Sequence, residues 1–317
     1  MNWKNKRVLV TGGTGFVGSH LIESLVKKGA SVVSTFQVIR PNSYFDEKKL
    51  LSKVTLSQTD VTNFEKLFDL VTKLEIEYIF HLAAQPIVET AYYNPRRTLN
   101  TNIMGTVNVL EAARLYPKIK AVVVASSDKA YGKSKGEKYL ETDPLRGTHP
   151  YEVSKSATDL IATTYAKTYG LPVVTTRFGN IYGEGDQNYS RIIPGIMNSI
   201  ISKTTLELRS DGSFVRDYLH VKDVVSGYLL IAENIAICKG EAFNFGSNDT
   251  HSVLDLLAIA EKSLSRKISY TIQNTAKNEI PYQSLDFSKA KKQLFWTPKM
   301  TLKKSLHEIF EYYKNIL

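Results

Sequence analysis

Thr11-Gly-Gly-Thr-Gly-Phe-Val-Gly18 decides how the rest of the chain is read. Arg7-Val-Leu-Val10 precedes it, a short apolar run of the kind that forms a buried strand. After it Phe16, Val17, Leu21, Ile22, Leu25 and Val26 recur at helical spacing. Strand, glycine-rich turn and helix in that order make a dinucleotide-binding start. Gly12 allows the tight turn, Gly15 lets backbone approach a pyrophosphate, and Gly18 permits close helix packing. The helix N-terminus then offers free N–H groups and a partial positive charge to phosphates. The spacing is Gly-x-x-Gly-x-x-Gly, and its force comes from the strand before and the helix after.

Outward from this turn, strand-like runs alternate with amphipathic helices. Ser31–Phe36, Val54–Gln58, Tyr78–Ala84, Ala121–Ser126 and Pro172–Arg177 are the further strands. Helices are expected near Phe64–Val71, over 102–115, and over Tyr151–Tyr169 behind Pro150. The pattern predicts an α/β fold, a Rossmann-type doubly wound parallel sheet with helices on both faces. Beyond Gly183 the elements shorten, which predicts a smaller C-terminal α/β substrate-binding region. The expected division is a cofactor domain over 1–182, rejoined by about 217–246, and a smaller region from 183–216 and 247–317. That region would cap the carboxyl edge of the sheet, where open α/β folds bind ligands.

A length of 317 residues suits a well-buried core. No apolar run approaches the ~20 residues that span a bilayer, and the start shows no signal peptide, so no membrane partner is expected. Cys238 is the single cysteine, which excludes an internal disulfide and suggests a reducing, cytoplasmic compartment. No Cys/His cluster has metal-ligand spacing. The net charge of +10 is scattered, without the stripe and docking motif of a nucleic-acid binder. An anionic small molecule accounts for it equally well.

The second constellation begins where the fifth strand ends, Ser126-Ser127-Asp128-Lys129-Ala130-Tyr131-Gly132. Tyr151-Glu-Val-Ser-Lys155 opens the next helix, and residues at i and i+4 share one face. A lysine ammonium near a phenol favours the phenolate and lowers the tyrosine pKa toward a useful base. The Ser127 hydroxyl is placed to orient a substrate oxygen. Adjacent residues at a strand end normally point apart, so Asp128 and Lys129 need not pair. At the end of the second strand, where an acidic residue often binds the ribose of NAD, stand Phe36 and Gln37. Arg40 lies close enough to suggest a 2′-phosphate contact, so NADP stays open beside NAD.

With these residues in view, the chain resembles the extended short-chain dehydrogenase/reductases, and among them the nucleotide-sugar 4,6-dehydratases. His81-Leu-Ala-Ala-Gln85, Thr101-Asn-Ile-Met-Gly-Thr106, Arg177-Phe-Gly-Asn-Ile-Tyr-Gly183, Arg191-Ile-Ile-Pro194, Arg216-Asp-Tyr-Leu-His-Val221 and Leu285-Asp-Phe-Ser-Lys-Ala290 are similar to blocks of that family. The Asp128-Lys129 pair is most similar to its CDP-glucose branch. The resemblance implies a redox cycle that returns its own hydride, with NAD favoured. Tyr151 would take the proton of the sugar 4-hydroxyl, and Lys155 would hold the cofactor ribose and tune Tyr151. Lys129 would remove the C5 proton, and Asp128 would protonate the departing 6-hydroxyl. If that pair is not acid and base, a 4-epimerase or reductase needs only Ser127, Tyr151 and Lys155. A non-catalytic cofactor sensor is the third reading, and this complete set argues against it.

The resemblance also distributes binding roles. Gly12, Thr14, Gly15, Phe16, Val17 and Gly18 would meet the cofactor pyrophosphate, and Asp60-Val61 would border the adenine. Leu82, Ala83, Ala84 and Gln85 would line its central part, with Asn102, Ser126, Tyr151, Lys155 and Phe178 nearby. Gln85, Ser127, Asn180, Arg191, Arg209, Arg216 and Tyr282 would bind a nucleoside diphosphate sugar, where arginine suits phosphate through its planar fork. The helices around 102–115 and 151–169 would pair in a homodimer.

Overall fold

The computed structural model describes residues 2–133, 137–275 and 280–317. Its strands are β1 (Arg7–Thr11), β2 (Ser31–Thr35), β3 (Thr55–Ser57), β4 (Tyr78–His81), β5 (Ala121–Ala125), β6 (Val173–Phe178) and β7 (Asn180–Tyr182). There follow β8 (Leu206–Leu208), β9 (Val215–His220), β10 (Ala242–Phe245), β11 (Thr250–Ser252), β12 (Tyr270–Ile272) and β13 (Tyr282–Gln283). Seven of them form one parallel sheet in the order β10-β6-β5-β4-β1-β2-β3. This is the Rossmann-type doubly wound sheet, its strand order reversing between β1 and β4.

Alternation along β1 explains the two covering layers. Val8 and Val10 face one side, Leu9 the other, and all three are fully buried. On the first side they meet Leu21 and Leu25 of helix Phe16–Lys27 and Val224, Tyr228 and Ile231 of helix Val221–Glu233. On the second, Leu9, Ile79, Val122 and Val124 meet Leu67, Val71, Leu110 and Ala162. Both faces of the sheet are covered, which is why its strands read as continuous apolar runs.

Past β6 the chain leaves the sheet. β9 pairs with β11, β13 and β7 in a separate small sheet, and β8 pairs with β12. A third core of Ile196, Leu256, Leu306 and Phe310 packs this region. The return to the main sheet begins at Val221 and ends with β10 on the edge beside β6. Helix Ser288–Leu294 and Trp296 then come back to the first layer, where Trp296 meets Phe245 edge-on and donates to Ser226 Oγ at 2.9 Å.

Candidate active site

The glycine turn is built for close approach. Gly12 takes φ +70°, and a Cβ there would sit 2.9 Å from the Ala83 backbone. A Cβ on Gly18 would lie 2.5 Å from the Gly12 carbonyl oxygen, so this glycine serves the turn itself as well as the sheet packing. Gly15 is the N-cap of helix Phe16–Lys27, with no side-chain cap and no acidic residue in the first turn. The helix-end N–H groups are thus left for an anion. Thr14 donates its hydroxyl to the Val38 carbonyl, which ties the turn to the segment after β2.

At the far end of that turn lies a cavity of about 270 Å³ lined by Phe36, Gln37, Gln58, Asp60, Asn63 and Lys66. Asp60 accepts from the Thr62 N–H and hydroxyl and from the Gln37 amide at 3.1 Å. Val61 is buried against Gly105, and Arg40, which is exposed, does not line this cavity. Beneath the turn, burial pushes the His81 imidazole down to about 3, so the ring is neutral. Thr106 gives its own proton to the Asn102 carbonyl, so His81 Nε2 carries the hydrogen toward Thr106 and Nδ1 accepts from Thr11. The Thr11 oxygen in turn accepts the Ala83 N–H. This chain locks β1 against the segment 82–85.

The catalytic candidates converge at the end of β5. Ser127 caps a 3₁₀ turn over Asp128–Tyr131, accepting the Lys129 N–H and donating to Asp128 Oδ1 at 2.9 Å. The turn removes the strand alternation that would have sent neighbours apart. Lys129 Nζ therefore comes to 3.6 Å from Asp128 Oδ1, with Asp128 buried and Lys129 partly exposed.

Tyr151 opens helix Pro150–Tyr169 and is buried beside this turn. Its phenol is pushed up to about 12, first by burial and then by the Asp128 carboxylate, while Arg191 and a hydrogen bond with Ser127 oppose the rise. The expected lowering by Lys155 is not what the geometry delivers. Lys155 Nζ donates to the Ala125 carbonyl at 2.7 Å, and burial lowers its own pKa to about 8. The cation acting on Tyr151 is Arg191, from across the cleft.

Behind the turn, Arg177 makes a bidentate pair with Asp159, both bonds at 2.8 Å, and donates to the Tyr131 hydroxyl. Its guanidinium also lies over the Tyr131 ring. One buried network thus joins β6, helix Pro150–Tyr169 and the 3₁₀ turn, and nothing in the sequence marks Arg177 and Asp159 as a pair.

Other assigned residues are held by the protein. Gln85 turns its amide onto Ile87 and Thr98, and Asn102, in a π-helical turn over Asn100–Met104, bridges Gln85 to Ser154. Ser126 donates to the Lys155 carbonyl at 3.4 Å. Phe178 lies in the first-layer core, stacked on Phe245, because β6 is buried along its whole length. Ala84 and Leu82 are half-buried at the end of β4, and Phe16 and Val17 begin the helix above them.

Across the cleft a second cavity, about 350 Å³, is bounded by Tyr189, Arg191, Asn198, Leu206, Arg209 and Val253. Arg191 sits at the N-cap position of helix Ile192–Ser202 without a side-chain cap, and its guanidinium pairs with Asp186 at 3.0 Å. Arg216 on β9 donates to the Val215 carbonyl and lies over the Phe214 ring. Asn180 and Tyr282 flank β9 in register with Tyr218 and Val215. The loop 183–187 joins both sides: Gly185 packs on Tyr44, Gln187 donates to the Pro41 carbonyl, and Tyr313 donates to the Asp186 carbonyl.

Residues 9–309 match the family model described as GDP-mannose 4,6 dehydratase. The chain belongs to this family of extended short-chain dehydrogenase/reductases. The CDP-glucose 4,6-dehydratase of Salmonella typhimurium is 33% identical over 98% of this chain and 91% of that protein. The UDP-glucuronic acid 4-epimerase of Bacillus cereus, solved with UDP-glucuronic acid and NAD, superposes with a TM-score of 0.90 at 26% identity, covering 98% of this chain and 100% of its own. DesIV, the dTDP-glucose 4,6-dehydratase of Streptomyces venezuelae solved with NAD and TYD, gives 0.89 at 26% identity, covering 98% and 97%. Family members of both activities thus share this frame. The cradle at Gly12 and Gly15 and the uncapped helix end fit the pyrophosphate of a dinucleotide.

Proposed function

We propose that this chain is a nucleotide-sugar 4,6-dehydratase that converts CDP-glucose, or a similar sugar such as GDP-mannose, to the 4-keto-6-deoxy sugar. NAD, bound along the glycine turn, supplies the hydride acceptor and donor. Ser127 orients the 4-hydroxyl and Tyr151 receives its proton. Burial and the Asp128 carboxylate favour the neutral phenol, so Tyr151 must first release its own proton to solvent, and the phenolate then accepts the 4-hydroxyl proton as hydride leaves C4.

The observation that carries the dehydratase reading is the Asp128–Lys129 contact beside Tyr151. As an ion pair the two have the wrong protonation for acid and base. A proton passing from Lys129 Nζ to Asp128 Oδ1 leaves a free amine and a neutral acid. The amine then takes the C5 proton and the acid protonates the leaving 6-hydroxyl. The 33% identity to a CDP-glucose 4,6-dehydratase supports the same choice. The likeness to a solved UDP-glucuronic acid 4-epimerase supports a second reading, a 4-epimerase or reductase, in which the pair stays ionic and only Ser127, Tyr151 and Lys155 act.

Arg191, Arg209, Arg216, Asn180 and Tyr282 take the nucleoside diphosphate in this reading. A second copy of the chain covers the apolar residues Met104, Val153 and Leu160, exposed on the adjoining helices, to form a homodimer. We place the enzyme in the cytoplasm, where the buried Cys238 thiol stays reduced. The test is mass spectrometry after incubation with NAD and CDP-, GDP-, dTDP- or UDP-hexose. Loss of one water from one of them, without net cofactor reduction, supports dehydration and names the base. An unchanged mass with NMR evidence of inversion at C4 supports the epimerase.

A further inference from the structure

The helix that carries Tyr151 and Lys155 starts from an unusual cap. His149 is its N-cap, and its Nδ1 accepts the Tyr151 N–H at 3.3 Å. Glu152 closes the other half, its carboxylate accepting the N–H groups of Thr148 at 2.9 Å and His149 at 3.2 Å. The usual cap residues, Ser, Thr, Asn and Asp, accept through an oxygen. An imidazole accepts through Nδ1 only while it is neutral. Tyr92, on helix Val88–Tyr93, lays its ring over His149 at 6.3 Å and 11° while remaining 65% exposed.

We propose that His149 is a positioning residue for Tyr151: its neutral ring fixes the first turn of the helix, and protonating it frees the Tyr151 N–H and loosens the phenol. This rests on the reading of Tyr151 as the proton acceptor. Tyr151 is only the second residue of the helix, so the cap sets where its side chain begins. A displacement of about 1 Å at a reacting group costs up to ~10²-fold in rate. The groups facing the imidazole are the Glu152 carboxylate from its own helix and the Tyr92 ring from the neighbouring one. Glu152 favours the cation, and burial, which dominates, disfavours it. The acceptor form therefore persists below the ordinary histidine range.

The experiment compares wild type, His149→Asn, His149→Ala and Tyr151→Phe. Amide hydrogen exchange is read at residue 151, and kcat and KM are read with CDP-glucose, from about pH 5 to about pH 9, a range spanning the histidine range. Asparagine keeps an acceptor and does not titrate. In wild type, kcat should fall mainly below the ordinary histidine range, by about threefold or more at about pH 5, with protection at residue 151 falling in step, and in His149→Asn by less than about twofold. His149→Ala should lose protection at every pH and about five- to tenfold in kcat, with KM within about twofold. An identical acid limb in wild type and His149→Asn overturns the proposal, as does unchanged protection in His149→Ala. If wild type leaves CDP-glucose untouched, or Tyr151→Phe still turns it over, the proposed function fails instead, and the exchange data alone decide the cap.

Discussion

Lys155 Nζ donates to the carbonyl oxygen of Ala125 at 2.7 Å. The helix that carries the lysine is thereby fastened to the end of β5, one residue before Ser126. Burial lowers the amine to about 8. The folded chain releases this proton more readily than the unfolded one, whose lysine titrates near 10.5. Between those two values the unfolded state holds more protons, so raising the pH through that window stabilises the fold at this site. Thermal melts of wild type and Lys155→Met should diverge there, the wild type gaining relative to the variant. NMR titration of the amine should place its midpoint near 8, and a midpoint above about 10, the exposed-lysine range, would contradict its burial.

Tyr151→Phe removes one hydroxyl from a buried ring. Turnover should fall by about 10³-fold or more, within the range for losing a general acid–base group. The affinity for NAD, measured by calorimetry, should stay within about threefold, since the glycine turn and helix end hold the dinucleotide elsewhere.

Lys129→Met and Asp128→Asn separate the two halves of the proposed cycle. In deuterated water Lys129→Met should lose deuterium incorporation at C5 of the sugar, and both variants should lose about 10²- to 10⁴-fold in dehydration. Dehydration at the wild-type rate in either one would return the pair to a structural role and leave the epimerase reading in its place.

Gly12→Ala puts a methyl group 2.9 Å from the Ala83 backbone at a φ of +70°. Gly18→Ala drives one to 2.5 Å from the Gly12 carbonyl. Each should weaken NAD binding by at least about tenfold, because the turn has no flexible side chain to yield. Calorimetric titration checks both.

Asp159→Asn should cost about 3–5 kcal/mol by stranding the buried Arg177 guanidinium. The urea midpoint should shift accordingly. Replacing Arg177 and Asp159 together by apolar residues should cost less than the single changes sum to, because both charges then leave the interior.

The order of strands, glycine turn and helices was legible because both faces of the sheet are buried and the apolar runs are unbroken. So was the grouping of Ser127, Tyr151 and Lys155, since a strand end and a helix start at adjacent sheet positions meet at one edge. What the pattern missed depends on tertiary contact. The 3₁₀ turn that joins Asp128 to Lys129 carries no separate signal. The Lys155 partner is a backbone carbonyl 30 residues away, invisible to side-chain spacing. Gln85 reads as a ligand until its amide is seen folded onto Ile87 and Thr98. The His149 cap was available, because a residue before Pro-Tyr-Glu at a helix start is a cap position.

The late return of β10 and Trp296 to the first layer bears on how the chain is made. The sheet edge beside β6 stays open until residue 245 has been synthesised, and the layer over Phe245 lacks Trp296 for some fifty residues more. A nascent chain ending at residue 182 would leave Phe178 without its Phe245 and Tyr228 neighbours. Residues 1–182 therefore cannot complete this core by themselves. Completion of the sheet waits on the passage of the intervening segment, and a chaperone guarding this protein would have to shield that apolar edge until nearly the last helix emerges.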